Sequence, residues 1–204
     1  YRPQLVRAGQ QEGLTFPNLD LVRDLSFSSG GFQAKYGDKM SSVLDIKYKR
    51  PDSLRASASA SLLGASAHVE GSLKNRNDPY RAFRYLVGAR YKTTRTLLGS
   101  LDVTGEYVPD FYDLQAYLTY DLSRTWQLGG IANYNRSVYR FVPESLVRAF
   151  GLVDFALQLR SVFEGQEVDD FTQAMGGISL TYLPDRPRNP LYHKFLASAW
   201  RSQE

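Results

Sequence analysis

The chain contains no cysteine, and only two methionines, two tryptophans and two histidines among its 204 residues. Without thiols there is no disulfide framework and no thiolate metal site. His68 and His193 are far apart in sequence, and a zinc centre needs three or four ligands, so no metal is expected on them. No run of about eighteen apolar residues occurs, which excludes a membrane-spanning helix. The mean hydropathy of -0.37 reads as water-exposed, but a strand that shows only alternate residues to lipid escapes that measure. Nucleophile motifs are missing too. There is no G-x-S-x-G, and no Gly-Lys-Ser/Thr follows Gly30-Gly31 to make a phosphate loop. No enzymatic activity and no cofactor are expected.

Charge of one sign is also not concentrated. Twenty-five basic and 21 acidic residues give a net charge of +4, but they are interspersed, so nucleic acid is not an expected partner. The densest acidic group is Glu164, Glu167, Asp169 and Asp170. It lacks the central glycine and ligand spacing of a calcium loop, and reads as a solvated loop. The chain begins at Tyr1 and ends at Glu204 inside patterned sequence, so it is expected to be a piece of a longer protein.

What is abundant is tyrosine (14) and phenylalanine (11), set in segments of period 2. Leu54, Ala56, Ala58, Ala60 and Leu62 share one face, with Arg55, Ser57, Ser59 and Ser61 on the other. Gly64 allows a bend before a strand over 67–73. Lys74 to Pro79 is a polar turn, and 81–93 is the next strand. A strand over 96–108 is expected to break at Pro109-Asp110. Leu114, Ala116, Leu118, Tyr120 and Leu122 then oppose Asp113, Gln115, Tyr117, Thr119 and Asp121. After a short turn, Trp126, Leu128, Gly130, Ala132 and Tyr134 align, bracketed by aromatics as at the two interfaces of a membrane. Residues 143–170 read as a long loop or strand extension, 176–183 as strand, and 193–200 as a last strand of ambiguous polarity.

The stretch Phe27 to Pro51, FSSGGFQAKYGDKMSSVLDIKYKRP, separates an irregular first part from these strands. Gly30, Gly31, Phe32, Ala34, Tyr36, Gly37, Ser41, Ser42, Val43, Asp45 and Ile46 carry a resemblance there. The stretch is similar to the end of the plug domain in TonB-dependent outer-membrane receptors of the Bacteroidetes type. Glu12 to Val22 fits the preceding plug segment. The resemblance implies an all-β fold: an open N-terminal part of an antiparallel transmembrane β-barrel (52–204, seven or eight strands) after the C-terminal part of a plug (1–51). It implies uptake of a nutrient ligand (a glycan, peptide or metal chelate) gated by the plug. The implied partners are outer-membrane lipid, the TonB energy-transducing complex acting on a box outside this sequence, and a surface lipoprotein. The implied location is the cell outer membrane. On this reading the small residues of 54–62 let a plug pack close to the wall, and Asp45 and the following lysines face Arg55, Arg84 and Arg90.

Two other architectures fit the same alternation. One is a soluble β-sandwich, for instance a surface carbohydrate-binding module. The other is a complete eight-stranded barrel, which leaves the first fifty residues unexplained.

Overall fold

The computed structural model describes residues 18–31, 33, 36–37, 42–78, 80–93, 106–142, 146–152, 155–161, 167–184 and 192–203. A 3-10 turn, Leu19–Leu21, is capped by Asn18, whose Oδ1 accepts from the Asp20 N–H at 3.1 Å. It leads into β1 (Val22–Ser28), which pairs antiparallel with β2 (Val43–Tyr48) as a two-stranded ribbon. Gly31, in the connection, has φ +62°, the left-handed conformation its turn requires.

The remaining elements are β3 (Arg55–Ser61), β4 (Gly64–Lys74), β5 (Ala82–Thr93), β6 (Glu106–Asp121), β7 (Trp126–Val142), β8 (Leu146–Leu152), β9 (Phe155–Ser161), β10 (Glu167–Tyr182) and β11 (His193–Gln203). β8 and β9 form a hairpin of their own. The other seven make one antiparallel sheet in the order β11-β10-β7-β6-β5-β4-β3.

The register places His68, Gly88, Gln115, Asn133, Met175 and Trp200 in one row across the sheet. One position further along, Val69, Val87, Ala116, Ala132, Gly176 and Ala199 form a row on the opposite face. The period-2 alternation therefore sorts a polar face from an apolar one across β4, β5, β6, β7 and β10. The polar face receives the 3-10 turn and the ribbon. Leu21 is fully buried there, and a Cβ on Gly88 would come within 2.9 Å of the Leu21 side chain. Glycine at 88 is what lets the second layer approach the sheet.

The architecture corrects the expected membrane barrel. The sheet is open: among the described residues β3 and β11 are edges with no further strand on their outer sides. A wall that does not close has no lumen and nothing to plug. The ribbon is a layer on one face, so the arrangement is that of a lopsided β-sandwich. The small-residue strand plays a different part from the one expected. Every residue of β3 is exposed, and the ribbon seats on β4 to β6 instead. The serines of β3 bind across to β4, Ser57 Oγ to His68 Nδ1 at 2.6 Å and Ser59 Oγ to Ser66 Oγ at 2.8 Å.

Two local expectations change as well. Pro109-Asp110 does not break a strand, because β6 continues through it with Pro109 opposite Tyr139 of β7. Pairing with β5 stops at Asp110, so the proline sits where the strand keeps one described neighbour and a missing N–H is tolerated. Residues 143–170 are not simply a loop, since they include the β8–β9 hairpin and the start of β10.

Gly64 opens β4 with φ +142°, and a Cβ there would lie 2.1 Å from the Tyr91 carbonyl oxygen. The clash is with backbone, so a side-chain shift cannot relieve it. Gly64→Ala is expected to lower stability by about 2–4 kcal/mol, read as a shift in the urea midpoint. An unchanged midpoint would mean the β3–β4 turn is not as described.

Candidate functional site

The polar face has an unusual interior. Its buried members include Glu70, Arg90, Asp113, Gln115, Thr119, Asn133 and Ser137, joined by few apolar groups such as Leu86 and Phe111. Buried polar atoms are tolerable only when paired, and most of these are. Asp113 is the centre. Its Oδ2 accepts from Arg90 Nε at 2.9 Å and Arg90 Nη2 at 2.7 Å. Its Oδ1 accepts from Asn133 Nδ2 at 2.8 Å, and Gln115 Nε2 reaches Oδ2 at 3.0 Å. Asn135 Nδ2 continues the chain to Asn133 Oδ1 at 3.1 Å. The Arg90 guanidinium also lies 5.8 Å from the centre of the Phe111 ring.

The ribbon closes over this network. Tyr48 stacks on Tyr117 with centroids 5.2 Å apart, and its hydroxyl reaches Gln115 Oε1 at 3.4 Å. Ser66 Oγ donates to Asp20 Oδ2 at 3.1 Å, and Lys49 Nζ donates to the Asp20 carbonyl at 2.6 Å. Glu70 Oε2 and Asn18 Nδ2, both buried, find no hydrogen-bonding partner among the described residues.

A second cluster lies at the turn end of β6. Asp121 is bound by Arg84, by Arg50 Nη2 at 3.2 Å and by Gln127 Nε2 at 2.6 Å. Burial opposes ionisation of this carboxyl, but the bonds from Arg84 and Gln127 and the charges of Arg84 and Arg50 outweigh it. Asp121 therefore titrates below the usual carboxylate range.

Of the residues that carry the resemblance, Phe32, Ala34 and Ser41 lie outside the described residues. Gly30, Gly31 and Gly37 are in the β1–β2 connection, Ser42 precedes β2, and Val43, Asp45 and Ile46 are within it. The ribbon brings two of them together: the Tyr36 hydroxyl donates to Asp45 Oδ2 at 2.9 Å. The expected pairing of Asp45 with the arginines of the sheet is corrected. Arg84 is taken by Asp121, Arg90 by Asp113, and Arg55 lies at 3.9–4.0 Å from Asp52 and Glu70. Lys47 pairs with Asp24 of β1 at 3.3 Å. In the acidic group Glu164 lies outside the described residues, and Asp170 pairs with Arg136 at 2.5 Å. Among the described residues no three His, Cys, Asp or Glu side chains gather as metal ligands.

The Asp113 network was not singled out by sequence reasoning, although its signal was present. Asp113, Gln115 and Thr119 alternate with leucines, but alternation does not say which face is covered.

Fold and site define a two-layer all-β protein with a paired polar interior. No family model, curated protein or solved structure matches the chain. The likeness of 27–51 to a receptor plug therefore stands on that stretch alone. The open sheet overturns the assignment built on it, plug-gated uptake through a transmembrane barrel included.

Removing Asp113 would strand the buried Arg90 charge. Asp113→Ala is expected to destabilise by about 3–5 kcal/mol, measured by urea denaturation; a loss comparable with that of an exposed ion pair would refute the hub. For Asp121 the folded-state pKa is depressed, so its stabilisation is present above the unfolded value of about 4 and fades as pH falls through the lower folded value. Asp121→Asn should flatten that acid limb of the stability profile. An identical pH dependence in variant and parent would contradict it.

Proposed function

We propose that the chain is a non-catalytic binding module that takes a saccharide on the part of its polar face beyond the ribbon. The observation that carries this reading is Trp200. Its side chain lies on the polar face of β11, and the residue is 64% exposed. Met175 is directly opposite on β10, Ser198 and Ser202 flank it on its own strand, and Gln173 and Asn135 follow in register across β10 and β7. A sugar ring presents a C–H face that packs on an indole and hydroxyls that need both donors and acceptors. Amide and hydroxyl side chains beside an exposed ring meet both needs without a charge or a metal. The paired network under the ribbon supports a rigid shelf, because Asn135 is anchored through Asn133 to Asp113.

The test is a panel of immobilised glycans probed with the parent chain and Trp200→Ala. The parent is expected to hold at least one glycan, and the variant to bind it about tenfold or more weakly while keeping its urea midpoint. Equal binding by the two proteins, or no glycan bound by the parent, rejects the proposal.

A further inference from the structure

β11 is a long edge with little to blunt it. Its 11 residues pair with β10 without a bulge, and among the described residues no strand lies on its outer side. At alternate residues the backbone N–H and C=O groups therefore point out of the sheet, a template for one more strand. Edges that stay single are protected by proline, by charge or by a bulge, and Phe195 to Trp200 holds no proline, glycine or charged residue. Large exposed side chains stand on both sides of the edge: Phe195 on the apolar face, Leu196 and Trp200 on the polar one.

From the residue order of this strand we infer that the β11 edge pairs antiparallel with β11 of a second copy, about a two-fold axis through Ser198. Such an axis keeps like faces of the two sheets on the same side, so residues that meet must share a face. Ser198 is the midpoint of the strand, and an axis there pairs all 11 residues. Leu196 then meets Trp200 on the polar face, beside Ser198 meeting its own copy. On the apolar face Phe195 meets Arg201, an aromatic ring against a guanidinium, and Ala197 meets Ala199. Lys194 meets Ser202 and His193 meets Gln203, so no cation faces a cation. An axis at Ala197 would set His193 against Arg201. One at Ala199 would set Ala197 against Arg201 and Leu196 against Ser202, and either shift leaves one end of the strand unpaired. The side chains therefore favour one register. Self-pairing also closes at a dimer, whereas β11 joined to β3 of another copy would run on into a fibre. The inference is independent of the saccharide reading, because the added strands extend the sheet at its edge and cover neither face.

The chain has no cysteine, so a single one introduced at the axis reports the pairing. The parent is expected to sediment as a dimer. Ser198→Cys is expected to convert most of the protein to a disulfide-linked dimer on mild oxidation, since the axis sets the two sulfurs side by side. Lys194→Cys alone should cross-link little, and Lys194→Cys combined with Ser202→Cys should cross-link well. Phe195→Lys sets like charges opposite each other and is expected to raise the dimer Kd about tenfold or more. Adding Arg201→Glu should restore it. Phe195 and Arg201 are six positions apart on one strand, so that rescue cannot arise within a single chain. Circular dichroism checks that each variant keeps the strand content of the parent. A monomeric parent overturns the inference, as does a Ser198→Cys variant that cross-links no better than Lys194→Cys. A dimer indifferent to Phe195→Lys overturns it too, and would place the contact on the apolar face instead.

Discussion

A buried carboxylate must be met by donors, and Asp113 is met by three side chains from three strands. Arg90 on β5, Gln115 beside it on β6 and Asn133 on β7 all donate to it. Taking that charge out of water is unfavourable by several kcal/mol unless the geometry is good. The network therefore constrains the register of β5, β6 and β7 as strictly as apolar packing does elsewhere. A slip by one residue in any of them would turn a partner to the apolar face and leave Asp113 or Arg90 stranded. The ribbon depends on this arrangement, because Tyr48 lands on Tyr117 and Gln115 only while both point to the same side.

The same constraint explains why the molecule is inside out relative to a water-soluble core. Its most enclosed side chains include Gln115, Asn133 and Asp113, whereas Ile178, Phe195 and Leu73 are each 63% exposed. The buried apolar set among the described residues is thin: Leu21, Val43, Ala82, Leu86 and Phe111. Stability in such a sheet rests less on area removed from water than on ladder hydrogen bonds and satisfied polar groups. The large apolar residues contribute little to the fold while they face solvent. Their contribution depends on whatever covers them.

Much of the strand layout was legible in the sequence, because period-2 alternation survives wherever the two faces of a strand meet different surroundings. The stripes of 54–62, 113–122 and 126–134 appear as β3, β6 and β7 with the faces divided as read, and 81–93 appears as β5. Pro109 misled because a proline tells against pairing only on the side where its N–H is needed. Residues 146–161 misled because a hairpin outside the main sheet has no long stripe to announce it. Trp200 was hidden in a strand whose two faces both carry large apolar groups, Phe195 on one and Leu196 on the other. The partner choices of the arginines were not legible at all. Arg84 and Arg90 pair with acidic residues of the neighbouring strand, Asp121 and Asp113, and register decides such contests.

Alternation also cannot distinguish a closed wall from an open sheet, because both offer two unlike faces. The difference lies in the edges, which here do not match. β3 is seven residues long, made of serine and alanine behind Arg55, and exposed throughout. β11 is eleven residues long and exposes Phe195, Leu196 and Trp200. The inward hydroxyls of β3 are already engaged with β4, at His68 and Ser66. Joined to each other, the two edges would set large rings against methyl groups over only part of the β11 length, and cross-strand pairs of that kind contribute little. A short, polar, self-satisfied edge resists further pairing, whereas a long edge with aromatic side chains on both faces invites it. The two edges of the described sheet therefore differ in kind: β3 is short and has little left to offer, whereas β11 is long and keeps large side chains on both faces.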